Sequence, residues 1–198
     1  MDIVTLKQIL SFVAVTLTFL AYIPYYRDIL KGKTHPHVYS WSLWAILTVL
    51  IFALQIKGGA GPAAYVTMAA GLLCLGVIGL GLKHGKRDIT QSDTLVAILG
   101  LVAIGFWLIV DQPVISIILA VLADLLAFIP TIRKSWHKPH SETLSLYITN
   151  TLRFSLALIA VKEYTVLSSL WLVTWVIGNG LFSIMLVMRR KAVAIVQA

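Results

Sequence analysis

The amino-acid sequence predicts an all-α integral membrane protein with seven transmembrane helices, arranged as two parallel three-helix repeats joined by a linker helix. Three observations lead to this prediction: a strongly apolar composition, seven apolar runs of spanning length, and an eight-residue stretch that occurs twice. Of the 198 residues, 59% are hydrophobic and 12% are charged, and the mean hydropathy is +0.91. Soluble domains are about 45–50% apolar and about 25% charged, so a water-facing surface does not account for this composition.

The seven apolar runs are the predicted spans. A helix needs about 20 apolar residues to cross a bilayer, and no run shows the alternation of a transmembrane strand. The runs are Gln8–Tyr26, Val38–Ile56, Gly61–Leu82, Thr94–Val110, Pro113–Ile132, Thr143–Val161 and Thr165–Met188. The first run lacks a small-residue cleavage site, so we expect a retained span and not a signal peptide.

The distribution of Lys and Arg predicts the orientation. Of the 16 basic residues, twelve lie in alternate connections on one side of the predicted bundle. Lys7, Lys57 and Lys162 lie on the other side, and Arg153 falls inside a span. Basic connections stay in the cytoplasm, so the N-terminus is expected outside and the C-terminus inside.

The repeated stretch predicts an internal duplication. Leu20–Arg27 reads LAYIPYYR, and Leu126–Arg133 reads LAFIPTIR, 106 residues later. The predicted organisation is therefore a first bundle at residues 1–83, a linker with the fourth span at 84–112, and a second bundle with a short basic tail at 113–198. Two parallel repeats of this kind predict a substrate site near the midplane between them.

Two charges fall inside predicted spans and are candidate site residues. Asp124 and Arg153 both lie near mid-depth in adjacent spans. A charge at the bilayer centre is costly, about 2.5–3.5 kcal/mol on insertion scales, and usually finds a partner inside the bundle. Each is expected to be the other's partner. The pair could face a substrate, take part in proton coupling, or lock two helices structurally.

The prolines of the repeat are candidate hinges. Pro24 and Pro130 each remove a helical hydrogen bond and favour a kink. The two kinks could act as hinges that open and close the cytoplasmic side, or they could be static. Arg27 and Arg133, three residues later, are predicted to mark the cytoplasmic boundary of the membrane. Trp44 lies deep enough to reach a central pathway, although packing in the core explains it as well.

This arrangement resembles the PQ-loop and SWEET superfamily of small transporters. The resemblance rests on the three-one-three order of spans, the two copies of Leu-Ala-aromatic-Ile-Pro-x-x-Arg, and Ser141–Ser145 at the start of the sixth span. Ser40–Trp44 is similar to a pattern in bacterial seven-span members. Tyr25 and Thr131 follow the prolines, where the PQ-loop carries glutamine.

The resemblance implies further expectations. Asn179 resembles the sugar-contacting asparagine of SWEETs, and Trp175, one turn earlier, would stack on a sugar ring; an interhelical hydrogen bond is the alternative role for Asn179. The family implies alternating access between two bundles hinged at Pro24 and Pro130, in the plasma (inner) membrane of a bacterium. It contains proton-coupled amino-acid transporters and non-transporting receptors or sensors as alternatives.

The sequence favours no other class of protein. It contains no motif of an enzyme, a metal site or a cofactor site, and its histidines are expected to be solvated in cytoplasmic loops (His35, His37, His84, His137 and His140). The net charge is +8, but the basic residues lie between apolar runs and do not form a nucleic-acid-binding face. The expected partners are the lipid bilayer and a small solute; a monomer suffices, and a homo-oligomer is an alternative.

Overall fold

The computed structural model of the chain describes residues 2–84, 94–95, 98–99, 101–102, 105–106, 109 and 111–196. Six long helices lie within them: α1 (Ile3–Leu30), α2 (Val38–Lys57), α3 (Tyr65–His84), α4 (Pro113–His137), α5 (Leu144–Ala160) and α6 (Val166–Val196). Short 3₁₀ turns at Gly61–Ala64 and Pro139–Ser141 precede α3 and α5. The described residues contain no β-strand, so the all-α prediction is confirmed. The predicted fourth span, 94–110, is described only in part, at 94–95, 98–99, 101–102, 105–106 and 109.

Among the described residues, five helical segments are long and apolar enough to cross a membrane. They are Ile3–Leu30, Val38–Lys57, Gly61–Lys83, Pro113–His137 and Val166–Val193. The apolar helix α5, with 17 residues, falls just below that length. These segments make the chain compatible with an integral membrane protein.

Three helices extend beyond the predicted boundaries. α1 begins at Ile3 because the Asp2 carboxylate caps the helix by accepting from the Thr5 amide at 2.9 Å. It continues past Pro24 and Arg27 to Leu30, and α4 continues past Pro130 and Arg133 to His137, so the repeated stretch is helical throughout. The predicted basic tail at Arg189–Lys191 is also helical, because Arg189 and Arg190 hold this turn of α6 against the carbonyls of Trp136 and Pro139.

The packing of the helices repeats between the two halves of the chain. α1 packs on α3 and α5, α2 packs on α3 and α4, and α6 packs on α4 and α5. If α1, α2 and α3 are exchanged with α4, α5 and α6, this set of contacts maps onto itself. Two copies of one three-helix unit would produce such a pattern, with the third helix of each unit between the first and second.

The connections collect at two ends of the helices. We call the first the basic end; it is formed by residues 28–37, 134–143 and 189–190. The second, the far end, is formed by residues 57–61 and 161–165. α1 runs from Lys7 near the far end to Arg27 at the basic end, so a cavity between the helices lies between these two sets of connections.

Polar groups lie inside the helices and large apolar groups lie outside. Thr18, Asp124, Asn150, Arg153 and Asn179 are all buried. Large apolar side chains on the outer faces are more than half exposed, among them Phe12, Ile23, Leu72, Ile148 and Leu181. A soluble protein of this size rarely exposes so much continuous apolar surface, whereas a lipid-facing surface requires it.

Candidate functional site

A cavity of about 60 Å³ lies between the six helices. Every residue that lines it is buried. They are Tyr22, Trp41, Trp44, Thr48, Ala70, Cys74, Asp124, Phe128, Leu146, Tyr147, Asn150, Arg153, Phe154, Trp171, Trp175 and Asn179. The cavity therefore brings together all five residues that the sequence predicts for a binding site, namely Trp44, Asp124, Arg153, Trp175 and Asn179.

The carboxylate of Asp124 enters the cavity from α4 with one oxygen bound and one oxygen free. Oδ2 accepts hydrogen bonds from Trp171 Nε1 at 2.7 Å and from Trp175 Nε1 at 2.5 Å. Oδ1 is buried and has no hydrogen-bond partner among the described residues. The side chain is only 1% exposed. An unpaired buried acceptor is unfavourable, by about 1–3 kcal/mol and more when it is charged, so Oδ1 is a site at which a ligand would be stabilised.

The guanidinium of Arg153, on α5, is held by neutral acceptors. Nε donates to Asn150 Oδ1 at 2.8 Å, and Nη1 donates to Thr18 Oγ1 at 2.9 Å. The carbon of the guanidinium lies 4.1 Å from the centroid of the Phe154 ring, a cation–π arrangement. This set of contacts crosses from α5 to α1.

The predicted direct pair of Asp124 and Arg153 is not formed. No ion pair joins them within the described part of the chain, although both line the same cavity. The physical reason is that the two indole N–H groups take one oxygen of Asp124, while Asn150 and Thr18 take the N–H groups of Arg153. Each charge thus has neutral hydrogen-bond partners on its own side of the cavity.

Asn179 continues the network of Arg153 into α6. Its Oδ1 accepts from Asn150 Nδ2 at 3.1 Å, and its Nδ2 donates to the Trp175 carbonyl at 2.8 Å. The interhelical hydrogen bond expected as one role for this residue is therefore present. Asn179 also lines the cavity, so the second role, contact with a ligand, remains open to it.

Aromatic side chains form much of the cavity wall. The Trp44 Nε1 donates to the Asp124 carbonyl at 3.2 Å, which ties α2 to α4. The rings of Trp44 and Trp175 meet edge to face with centroids 6.0 Å apart, and Phe128 packs on Trp175 at 5.2 Å. Trp44 therefore both packs in the core and lines the cavity.

Asn150 and Thr18 are the polar partners that the predicted site omitted. The repeat itself holds a signal for them, because residues 106 positions apart occupy equivalent places around the cavity; Thr18 lies outside the lining and bonds to the lining residue Arg153. Trp44 corresponds to Asn150, Trp41 to Tyr147, Tyr22 to Phe128, and Thr18 to Asp124. A search for polar residues at the positions equivalent to Trp44 and Asp124 would have found both.

The predicted hinge and boundary residues lie outside the cavity lining. Pro24 is half-buried inside α1, and Pro130 is buried inside α4. Arg27 is exposed, with Nη2 3.3 Å from Asp28 Oδ1, and Arg133 is exposed on α4. All four lie between the cavity and the basic end. The prolines fall inside the predicted spans, and Arg27 and Arg133 directly follow them.

Contacts between the two halves of the chain close the basic end. Lys134 forms an ion pair with the buried Glu142 and also donates to the His35 carbonyl at 2.7 Å. Thr143 Oγ1 donates to Asp28 Oδ2 at 2.9 Å and shares a hydrogen bond of 2.8 Å with Thr34 Oγ1. Tyr147, which lines the cavity, donates from its hydroxyl to Glu142 Oε2 at 3.1 Å. Tyr147 therefore connects the cavity to the contacts that close the basic end.

The far end is closed by the backbone. The Lys162 and Glu163 amides donate to the carbonyls of Ala60 and Gly59 at 3.2 and 3.1 Å. Gly58 lies so close to α6 that a Cβ there would come within 2.4 Å of Leu167 Cβ. The two halves thus meet directly at both ends, with the cavity between them.

Comparisons of the chain with known protein families, with the curated proteins and with solved structures gave no match. Within the described ranges, no three His, Cys, Asp or Glu side chains come close enough to hold a metal ion. The cavity, its buried charges and its two closed ends are therefore the features that bear on function.

Proposed function

We propose that this protein is an integral membrane transporter that binds a small solute in the cavity and opens to the two sides of the membrane in turn. The observation that carries the proposal is the cavity, in which two buried charges and several aromatic rings meet inside helices with apolar outer faces. The proposed topology has seven spans in a three-one-three order, with the N-terminus outside and the basic end in the cytoplasm.

The position of the charges favours a binding role. An ionisable side chain at membrane depth is costly and usually marks a site of function. Asp124 and Arg153 are not used to pair with each other, so their electrostatic cost is not offset by a direct ion pair. A solute that contacts them would supply that compensation.

The two ends provide gates for alternating access. At each end, hydrogen bonds and close contacts join the two halves of the chain, and opening of that end would break them. Rocking of the halves about the cavity, with Pro24 and Pro130 as hinges, would open one end while the other stays closed. The structure then corresponds to a form that is closed at both ends.

The non-transporting alternative predicts different features. A receptor or sensor of this type would have a closed core in which Asp124 contacts Arg153 and no cavity lies at mid-depth. The described residues form a cavity, and the two charges in it have separate partners. These observations favour transport over sensing alone.

Uptake into proteoliposomes tests the proposal. Purified protein would be reconstituted and assayed with a panel of labelled sugars, amino acids and small amines. We expect flux of at least one solute above that of empty liposomes. The absence of flux for every solute, from protein shown to be folded, would contradict transport.

The only cysteine of the chain provides a second test. Cys74 is buried and lines the cavity, so a thiol reagent reaches it only when an end opens. A membrane-impermeant reagent is expected to modify it from either side of the membrane, and a transported solute should slow the reaction. Cys74→Ser is the unlabelled control. Complete resistance in the membrane, with full labelling after denaturation, would contradict opening.

A further inference from the structure

We propose that the ligand of the cavity is a small zwitterion, with a cationic group on Asp124 and an anionic group on Arg153. The inference rests on the proposed solute-binding function and narrows it to a class of ligand. It follows from three properties of the cavity: the unused hydrogen-bonding capacity of its two charges, the absence of an ion pair between them, and its volume.

Both charged side chains have hydrogen-bonding groups left for a ligand. Oδ1 of Asp124 is a buried acceptor with no partner in the described part of the chain. A guanidinium has five N–H donors, and Arg153 forms hydrogen bonds to described residues through Nε and Nη1 alone. The cavity thus presents a carboxylate acceptor on α4 and guanidinium donors on α5, both 1% exposed.

The absence of an ion pair between the charges favours a ligand that carries both signs. The two side chains line one cavity without forming an ion pair. In a region of low dielectric constant, each is stabilised by an opposite charge at close range. A simple cation would compensate Asp124 alone, a simple anion would compensate Arg153 alone, and a neutral sugar would compensate neither. A zwitterion compensates both at once.

The volume limits the size of the ligand. A single water needs roughly 10–15 Å³ of such space, and the cavity measures about 60 Å³. It therefore accommodates a ligand of roughly four to six non-hydrogen atoms in this closed form. A hexose has about twice as many atoms and would not fit without expansion. Trp44 and Trp175 also line this space, with their rings edge to face.

A matched ligand series tests the inference on the wild-type protein. The probes are glycine as zwitterion, glycinamide as cation, acetate as anion, and glycerol and glucose as neutral solutes. Each is tested for its ability to slow the modification of Cys74 by a small thiol reagent in purified, folded protein. We expect glycine to protect at concentrations at least about tenfold lower than any of the others, because each of the others leaves at least one buried charge uncompensated.

Variants test which of the two charged side chains binds which group of the ligand. Asp124→Asn should weaken protection of Cys74 by glycine at least about tenfold and leave protection by acetate unchanged. Arg153→Lys should weaken protection by acetate and by glycine. Glu163→Gln, at the exposed far end, is the control and should match wild type. If a variant does not fold, the ligand series on wild-type protein still decides.

The outcomes separate this inference from the proposed function. Protection by glucose or glycerol at equal or lower concentration than glycine would overturn the zwitterion and leave transport standing. Equal protection by glycine and by either single-charge probe would overturn it too. A lack of protection by every probe would overturn it as well, and the uptake panel would then decide on transport separately.

Discussion

Arg153 on α5 donates a hydrogen bond of 2.9 Å to Thr18 on α1. Thr18 occupies the position of the first repeat that corresponds to Asp124 in the second. The duplicated position therefore holds a carboxylate on one side of the cavity and the neutral acceptor for the buried cation on the other. This asymmetry leaves each charge with its own neutral partners and leaves the space between them for a ligand.

The first prediction concerns Thr18. Thr18→Val keeps the shape of the side chain and removes the acceptor of Arg153 Nη1, which leaves a buried charged donor unsatisfied. We expect a loss of about 1–3 kcal/mol in the free energy of unfolding, seen as a lower midpoint of thermal unfolding in detergent. Thr16→Val is the control, because Thr16 is exposed and bonds within its own helix, to the Phe12 carbonyl. Equal midpoints for the two variants would contradict the role of Thr18.

Much of the fold could be predicted because long apolar runs have few alternative structures in a membrane. The first and last residues of the helices could not be predicted, since they depend on contacts beyond the apolar run. The Asp2 cap starts α1 early, and the contacts of Arg189 and Arg190 with carbonyls near the basic end keep α6 helical past Met188. Apolar periodicity carries no information on such polar contacts.

The members of the site could be predicted better than their partners. Asp124, Arg153 and Asn179 stand out because polar residues are rare in spans. Their hydrogen-bond partners depend on which helices pack together. The spans of Asp124 and Arg153 are consecutive in the sequence, and this led to the wrong prediction that the two residues pair with each other. The contact of α1 with α5, which places Thr18 beside Arg153, joins segments 135 residues apart.

The second prediction concerns the closure of the basic end. Glu142→Gln removes the ion pair that holds Lys134, whose Nζ donates to the His35 carbonyl in the other half of the chain, and it weakens the contact with Tyr147. Because the Lys134 side chain is partly exposed, we expect a cost of about 1–3 kcal/mol to the closed form. Labelling of Cys74 from the side of the basic end should become about tenfold faster, since 1.4 kcal/mol corresponds to that factor.

Glu163→Gln is the matched control for this experiment. Glu163 lies at the far end, and its contact with Lys162, at 3.9 Å, is exposed to solvent, where an ion pair contributes little. In this variant we expect Cys74 to be labelled from the side of the basic end at the wild-type rate. Faster labelling in both variants, or in neither, would show that Glu142 does not hold the basic end closed.

The third prediction concerns close packing at the far end. In Gly58→Ala, the new Cβ would lie 2.4 Å from Leu167 Cβ and 3.0 Å from the Ser168 amide nitrogen. Overpacking of this kind costs about 1–3 kcal/mol, so labelling of Cys74 from the outside should increase and thermal stability should fall. Gly79→Ala, where a Cβ meets nothing within 4 Å, should leave both unchanged or raise stability slightly. The opposite ranking would contradict close contact at the far end.

The last prediction concerns the two prolines inside α1 and α4. Replacing Pro24 and Pro130 together by alanine restores amides that can donate to the carbonyls of Leu20 and Leu126 and straightens both helices. If the prolines are hinges, solute binding, measured by protection of Cys74, should persist while transport slows about tenfold, or about 1.4 kcal/mol in activation free energy. Pro113→Ala, in the first turn of α4 where no helical hydrogen bond is lost, should transport at the wild-type rate. A double variant with undiminished transport would show that the two prolines do not act as hinges.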